Sequence, residues 1–136
     1  MGYRRIAHTG DTGFEIEGQS LPELFREAAL GLLDTITDPE TVQTSVKREF
    51  HIEARDTEQL LVAWLSELLY RFDTEDLLFS EFSIQIRDGT HLKAEAKGEV
   101  FDPKRHPIKT EVKGVTYHQL KIEGGPPYRT RVILDL

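Results

Sequence analysis

The chain has 136 residues, the size of one domain that can bury a core without cross-links, and its 38% hydrophobic and 30% charged residues describe a soluble globular protein, neither disordered nor membrane-bound. The absence of cysteine excludes disulfides, thiolate nucleophiles and Cys-ligated zinc or iron–sulfur sites. With 17 Lys and Arg against 24 Asp and Glu, the net charge of −7 opposes tight, nonspecific attachment to a phosphate backbone, so any service to RNA chemistry is expected to run through another protein.

No apolar run approaches the ~18 residues needed to cross a bilayer. The opening Met-Gly-Tyr-Arg-Arg-Ile leads straight into His8-Thr9-Gly10-Asp11 without the apolar stretch of a secretory signal, so a cytoplasmic location is expected.

Weak strands are expected near 3–8 and 13–18. Asp11, between Gly10 and Gly13, reads as a β-turn residue whose carboxylate can bond the amides that follow it. Residues 20–37 read as a helix, with Leu21, Leu24, Phe25, Ala28, Ala29, Leu32, Leu33 and Ile36 on one face. Ser20 and Glu23 form a capping-box signature, and Pro22 is tolerated in the first turn.

Residues 42–54 alternate, with Val42, Val46, Phe50, Ile52 and Ala54 on one side and Gln43, Ser45, Lys47, Glu49, His51 and Glu53 on the other, as in a half-exposed antiparallel strand. A second helix should begin after Asp56 and run through Leu60, Leu61, Trp64, Leu65, Leu68, Leu69 and Phe72. It is apolar around much of its circumference and is expected to be the more buried helix. Within it, Glu67 has Arg71 four residues on, and an i,i+4 pair accounts for both.

Phe82, Ile84 and Ile86, then Leu92, Ala94, Ala96 and Val100, alternate as a hairpin around Asp88-Gly89. Residues 102–108 carry two prolines and read as a loop, followed by strands near 109–123 and 128–135 that are parted by Gly124-Gly125-Pro126-Pro127. The expected fold class is α+β: a single domain over residues 1–136, mainly antiparallel β-sheet with two amphipathic helices packed on it.

The P-loop lysine, the Gly-x-Gly-x-x-Gly fingerprint, the nucleophile elbow, His-Glu-x-x-His and the EF-hand loop are all missing, which argues against an NTPase, a dinucleotide enzyme or a serine hydrolase. What remains is polar residues in three places. Asp135 sits on the opposite strand face from Leu134 and Leu136, one residue from a terminal carboxylate; two such charges suit a hard cation or simply a solvated chain end. His8 and His118 could be metal ligands, general bases or neither, and His118 shares a face with Leu120 and Ile122, where a hydrogen-bonded core-edge imidazole suffices. Lys104, Arg105, His106, Lys109 and Lys113, with Arg129 and Arg131, form modest basic clusters that read as solvated surface or as contacts for an acidic partner or an RNA backbone.

Five segments together resemble the archease family. His8-Thr9-Gly10-Asp11 resembles its His-Thr-Ala-Asp opening, and Ser20 through Phe25 its first helix start. Leu60 through Tyr70 resembles its second helix, Lys113 through His118 its Lys-Ala-Val-Thr-Tyr-His, and Val132 through Leu136 its ending. Gly10 and Gly114 stand where Ala is more usual, and Ser20 where some members carry Asp.

The resemblance implies an accessory protein, not an enzyme, that helps the RtcB-type tRNA-splicing RNA ligase form its guanylylated intermediate from GTP and turn over repeatedly. It also implies a divalent cation, Ca²⁺ with Mg²⁺ or Mn²⁺ as alternatives, held by Asp11, Asp135 and Leu136, with His8, His118 and Lys113 as supporting residues. A general chaperone or modulator of RNA-modifying enzymes is the alternative, and a metal-dependent hydrolase using Asp11 and Asp135 with a histidine base is a further one.

Overall fold

The structure, a computed structural model, describes the backbone of residues 3–8, 11–117 and 120–136, and side chains from residue 13 onward. In chain order its elements are β1 (Tyr3–His8), β2 (Asp11–Gly18), α1 (Leu21–Ile36), a 3₁₀ turn (Pro39–Thr41), β3 (Val46–Glu53), α2 (Thr57–Glu75), β4 (Leu77–Arg87), β5 (His91–Val100), β6 (Gly114–Thr116), β7 (Glu123–Gly124) and β8 (Tyr128–Asp135). Among the described residues the strands form two antiparallel sheets, one ordered β1-β2-β8-β6 with β7 also on β8, the other β3-β5-β4. The α+β class and the two packed helices are as expected.

Both helix starts follow from their caps. Ser20 Oγ accepts from the Glu23 amide at 3.3 Å, and Asp56 Oδ1 accepts from the Gln59 amide at 2.8 Å. The helix α1 packs on β2 of one sheet and β4 of the other, and so lies between the sheets. Its approach to β2 is close because residue 31 has no side chain: a Cβ there would meet the Phe14 ring at 2.6 Å.

This placement reverses one expectation. The more buried helix is α1, with 10 of its 16 residues buried against 7 of 19 in α2. An element between two sheets is covered on both sides, whereas α2 keeps Tyr70, Thr74 and Glu75 in solvent. Trp64 joins the helices: it is fully buried, donates its indole N–H to the Phe25 carbonyl at 3.1 Å and meets Phe50 and Phe82 edge to face at 5.4 and 5.8 Å.

Strand limits differ from the sequence reading at three places. The expected strand 42–54 starts only at Val46, after the Asp38-capped turn at Pro39–Thr41. The expected strand near 109–123 is reduced to Gly114–Thr116 and Glu123–Gly124, because residues 109–113 bond α1 and β8 irregularly and Leu120 N–H turns back onto the Tyr117 carbonyl at 3.0 Å.

The third is in the hairpin, which turns through Asp88 and Gly89 at φ 57° and 70° as expected but carries a register shift between Phe79 and Glu81. Near the shift Gly98 passes so close to the Leu78 carbonyl that no Cβ fits, and the inside–outside alternation breaks: Glu99 is buried, while Val100, read as inward, is 53% exposed.

Candidate functional site

The sheet β1-β2-β8-β6 aligns one row of residues across four strands. His8 is the Cα partner of Asp11, Asp11 of Asp135, and Asp135 of Gly114. Asp11, read as a turn residue, is instead the first residue of β2 and pairs on both sides. Its side chain and that of His8 lie outside the described part, as does the whole of His118.

The other half of the row is defined in more detail. Asp135 is exposed, next to Leu134 at 0% exposure on the opposite face and Leu136 at 39%. Lys113 donates its backbone N–H to the Asp135 carbonyl at 2.8 Å, which brings this lysine's backbone beside the row. Gly114 leaves the space beside Asp135 open, since a Cβ built there would meet nothing within 4 Å.

The next row sets the floor. Gly13 pairs with Ile133, and Ile133 is 1% exposed even though it lies on the face opposite Val132 and Leu134. A side chain at position 13 would collide with the Val132 carbonyl. Further along, Arg131–Glu15 at 3.6 Å and Arg129–Glu17 at 2.7 Å pair across the strands in register, each contributing at most about 1 kcal/mol at the surface.

Among the described residues no group of three or more His, Asp or Glu side chains gathers closely enough to hold a metal ion. The backbone row nonetheless draws together His8, Asp11, Asp135 and the neighbours Lys113 and Leu136, a donor set of carboxylate and imidazole without sulfur. Its carboxylates are the oxygen ligands that a hard divalent cation takes, whereas imidazole suits softer transition metals.

The sequence reading missed a second polar centre. Glu99, 5% exposed, accepts at Oε1 from the Gln43 amide at 3.0 Å, from Arg105 Nη1 at 3.0 Å and from His106 Nε2 at 2.6 Å, and at Oε2 from Arg105 Nη2 at 2.7 Å. His106 is 1% exposed, and its Nδ1 accepts from the Asp102 amide at 2.8 Å, which leaves the proton on Nε2, the atom facing Glu99. The Arg105 guanidinium, with the Gln43 amide and His106 behind it, outweighs burial and holds the Glu99 carboxyl down at about 2. His106 is thus a buried anchor and not solvated surface, while Arg105 stays exposed and turns the tip of its guanidinium onto the buried Glu99 carboxylate. The sequence signal is position: Glu99 stands one residue from the end of a strand, just before a loop with two prolines.

The Archease protein family (MTH1598/TM1083) matches residues 3–136 of this chain. The protein archease of Methanosarcina mazei is 40% identical, with 98% of this chain and 95% of the relative covered. That of Pyrococcus furiosus is 42% identical over 93% of this chain and 92% of its own length. Among solved structures, protein 1598 of Methanobacterium thermoautotrophicum superposes with a TM-score of 0.86 at 38% identity, covering 99% of both chains. A Thermotoga maritima protein described as an archease, possible chaperone, shares the fold at a TM-score of 0.65 and 24% identity, over 96% of this chain and 94% of its own.

Proposed function

The chain belongs to the archease family, and from that premise we propose that it is an accessory protein of an RtcB-type tRNA-splicing RNA ligase, promoting the ligase's guanylylation and its repeated turnover. The observation that carries this reading is the family match over essentially the whole chain. On this reading the protein works in the cytoplasm beside that ligase; no helix among the described residues is long and apolar enough to cross a membrane.

In this reading Asp11, Asp135 and Leu136 are the ligands of a divalent cation, Ca²⁺ or else Mg²⁺ or Mn²⁺, and His8, His118 and Lys113 support them. The cross-strand register of Asp11 and Asp135 is what favours it. A bound cation would supply concentrated positive charge that relieves the repulsion between neighbouring carboxylates. The chain's own work is positional: the β2–β8 ladder sets the spacing of the two aspartates, and the Lys113–Asp135 backbone bond holds a cationic residue beside them. An accessory role needs no nucleophile or nucleotide pocket in this chain, in keeping with the missing motifs.

The test is the purified ligase with GTP, a divalent metal and a nicked tRNA substrate, with and without this protein. We expect faster guanylylation and many ligation cycles when it is present, and no ligation by the protein alone. Single- and multiple-turnover rates that stay unchanged at saturating protein would overturn the assignment and bring forward a chaperone role, the description attached to the Thermotoga protein.

A further inference from the structure

Residues 101–113 carry no helix or strand, yet they are tied down along their whole length. Phe101 donates its amide to the Asp76 carbonyl at 2.7 Å, and its ring meets Phe72 edge-on and stacks on His106, each at 5.9 Å. Asp102 accepts at its carbonyl from the Arg105 and His106 amides at 3.0 and 2.8 Å. Lys109 then bonds the end of α1 twice over, its amide to the Ile36 carbonyl at 2.9 Å and its ammonium to the Asp34 carboxylate at 2.9 Å and carbonyl at 3.0 Å. Val112 is buried in the core, and Lys113 reaches the Asp135 carbonyl. The segment is a strap that starts on the sheet β3-β5-β4, crosses the C-terminal end of α1 and finishes on the sheet holding the aspartate row.

Irregular backbone keeps one conformation only where side chains or tertiary bonds replace the missing ladder. Here the largest replacement is the Glu99 carboxylate, a single buried group that accepts four hydrogen bonds and joins the end of β5, the entry to β3 at Gln43 and the first turn of the strap. Its donors, from Gln43, Arg105 and His106, converge on one buried carboxylate, which is costly to assemble for loop stability alone when an apolar residue could fill the same volume. What the carboxylate adds is a fixed geometry for the strap, and the strap's far end is the Lys113–Asp135 bond.

We propose that Glu99 is a positioning residue for the aspartate row: through Arg105 and His106 it fixes the strap, and with Lys109 it sets where Lys113 stands beside Asp135. The functional consequence rests on the ligase-accessory reading, whereas the positional claim can be tested without it.

The experiment compares the full-length protein with Glu99→Gln and Lys109→Met by amide hydrogen exchange, Ca²⁺ calorimetry and ligase stimulation. Glu99→Gln retains the size of the side chain but turns an N–H donor toward the Arg105 and His106 donors; Lys109→Met removes only the charged anchor. Exchange at the Lys113 and Gly114 amides should rise on the order of tenfold or more in each variant, while amides of α1 and of residues 14–17 keep their wild-type protection. Maximal stimulation of the ligase should fall, with the half-saturating protein concentration and Ca²⁺ affinity moving far less. Unchanged protection at Lys113 and Gly114 in both variants overturns the proposal, as does an equal loss of protection throughout, which would make Glu99 a general stability residue. If wild-type protein fails to stimulate the ligase, the accessory reading falls while the exchange result still decides the strap.

Discussion

Asp11 and Asp135 come from opposite ends of the sequence yet are Cα partners on adjacent antiparallel strands, with His8 opposite Asp11 on the far side and Gly114 opposite Asp135. If the proposed cation is held there, Asp11→Asn and Asp135→Asn should each weaken Ca²⁺ binding at least about tenfold, since each removes a charged oxygen ligand. Circular dichroism should show helix and strand content intact. Equal affinity of wild type and Asp11→Asn in calorimetry would remove Asp11 from the ligand set.

Two glycines make a sharper test of the fold than any core truncation. At Gly98 a Cβ would overlap the Leu78 carbonyl, a backbone atom that cannot step aside, whereas at Gly114 it would enter open space. Gly98→Ala should destabilise by about 2 to 3 kcal/mol. Gly114→Ala should be neutral or stabilise by about 0.5 kcal/mol through the unfolded state. Urea unfolding of both variants measures the difference, and similar midpoints would mean that the close passage of β5 past the register shift is not as described.

The pH response of the Glu99 centre has a defined sign. Arg105, the Gln43 amide and His106 lower the carboxyl from 4.5 to about 2 on folding, so the ionised form is favoured in the folded state. Its contribution to stability is fully present above about 4.5 and is lost as the pH falls toward 2. Following the Glu99 carboxyl carbon by NMR should show no titration between about pH 5 and pH 3, the range in which a glutamate in a model peptide titrates. A normal titration near 4.5 would contradict the hydrogen-bonded geometry.

How much of this was legible beforehand depended on whether a signal was local. Ser20 and Asp56 announce their helices because a cap involves the adjacent turn alone, and Asp88-Gly89 announces its hairpin for the same reason. The relative burial of the helices is not legible because α2 is the more evenly apolar, whereas burial follows tertiary contact, and α1 packs on β2 and β4 more extensively than α2 packs on β4 and β6. Asp11 read as a turn because its flanking glycines say so locally; the pairing with Asp135 is a nonlocal register that periodicity cannot supply. The inward turn of Glu99 and the outward turn of Val100 come from one register shift against β4, and no alternation pattern within β5 contains it. His106, in a run of basic residues, reads as surface for the same reason, whereas its neighbour Arg105 is exposed as expected.

The last prediction separates a functional site from a stability site. Asp135 is exposed at the end of β8, while the core beneath it is carried by Val132 and Leu134, both at 0% exposure. Removing its charge therefore takes away little packing, and the unfolding free energy of Asp135→Asn should lie within about 0.5 kcal/mol of wild type, the usual range for surface changes. If the row organises charge for the ligase, the same variant should lose most of its stimulation, because electrostatic positioning depends on the group itself and not on the stability of the scaffold. Lys47 and Glu53, on the exposed face of β3, supply the control: Lys47→Met and Glu53→Gln remove charges of either sign from a different sheet and should leave stimulation within about twofold of wild type. The decisive comparison is stimulation at equal folded fraction. Full stimulation by Asp135→Asn would detach the aspartate row from the accessory function, and loss of stimulation in Lys47→Met would move the ligase-facing surface to the β3-β5-β4 sheet.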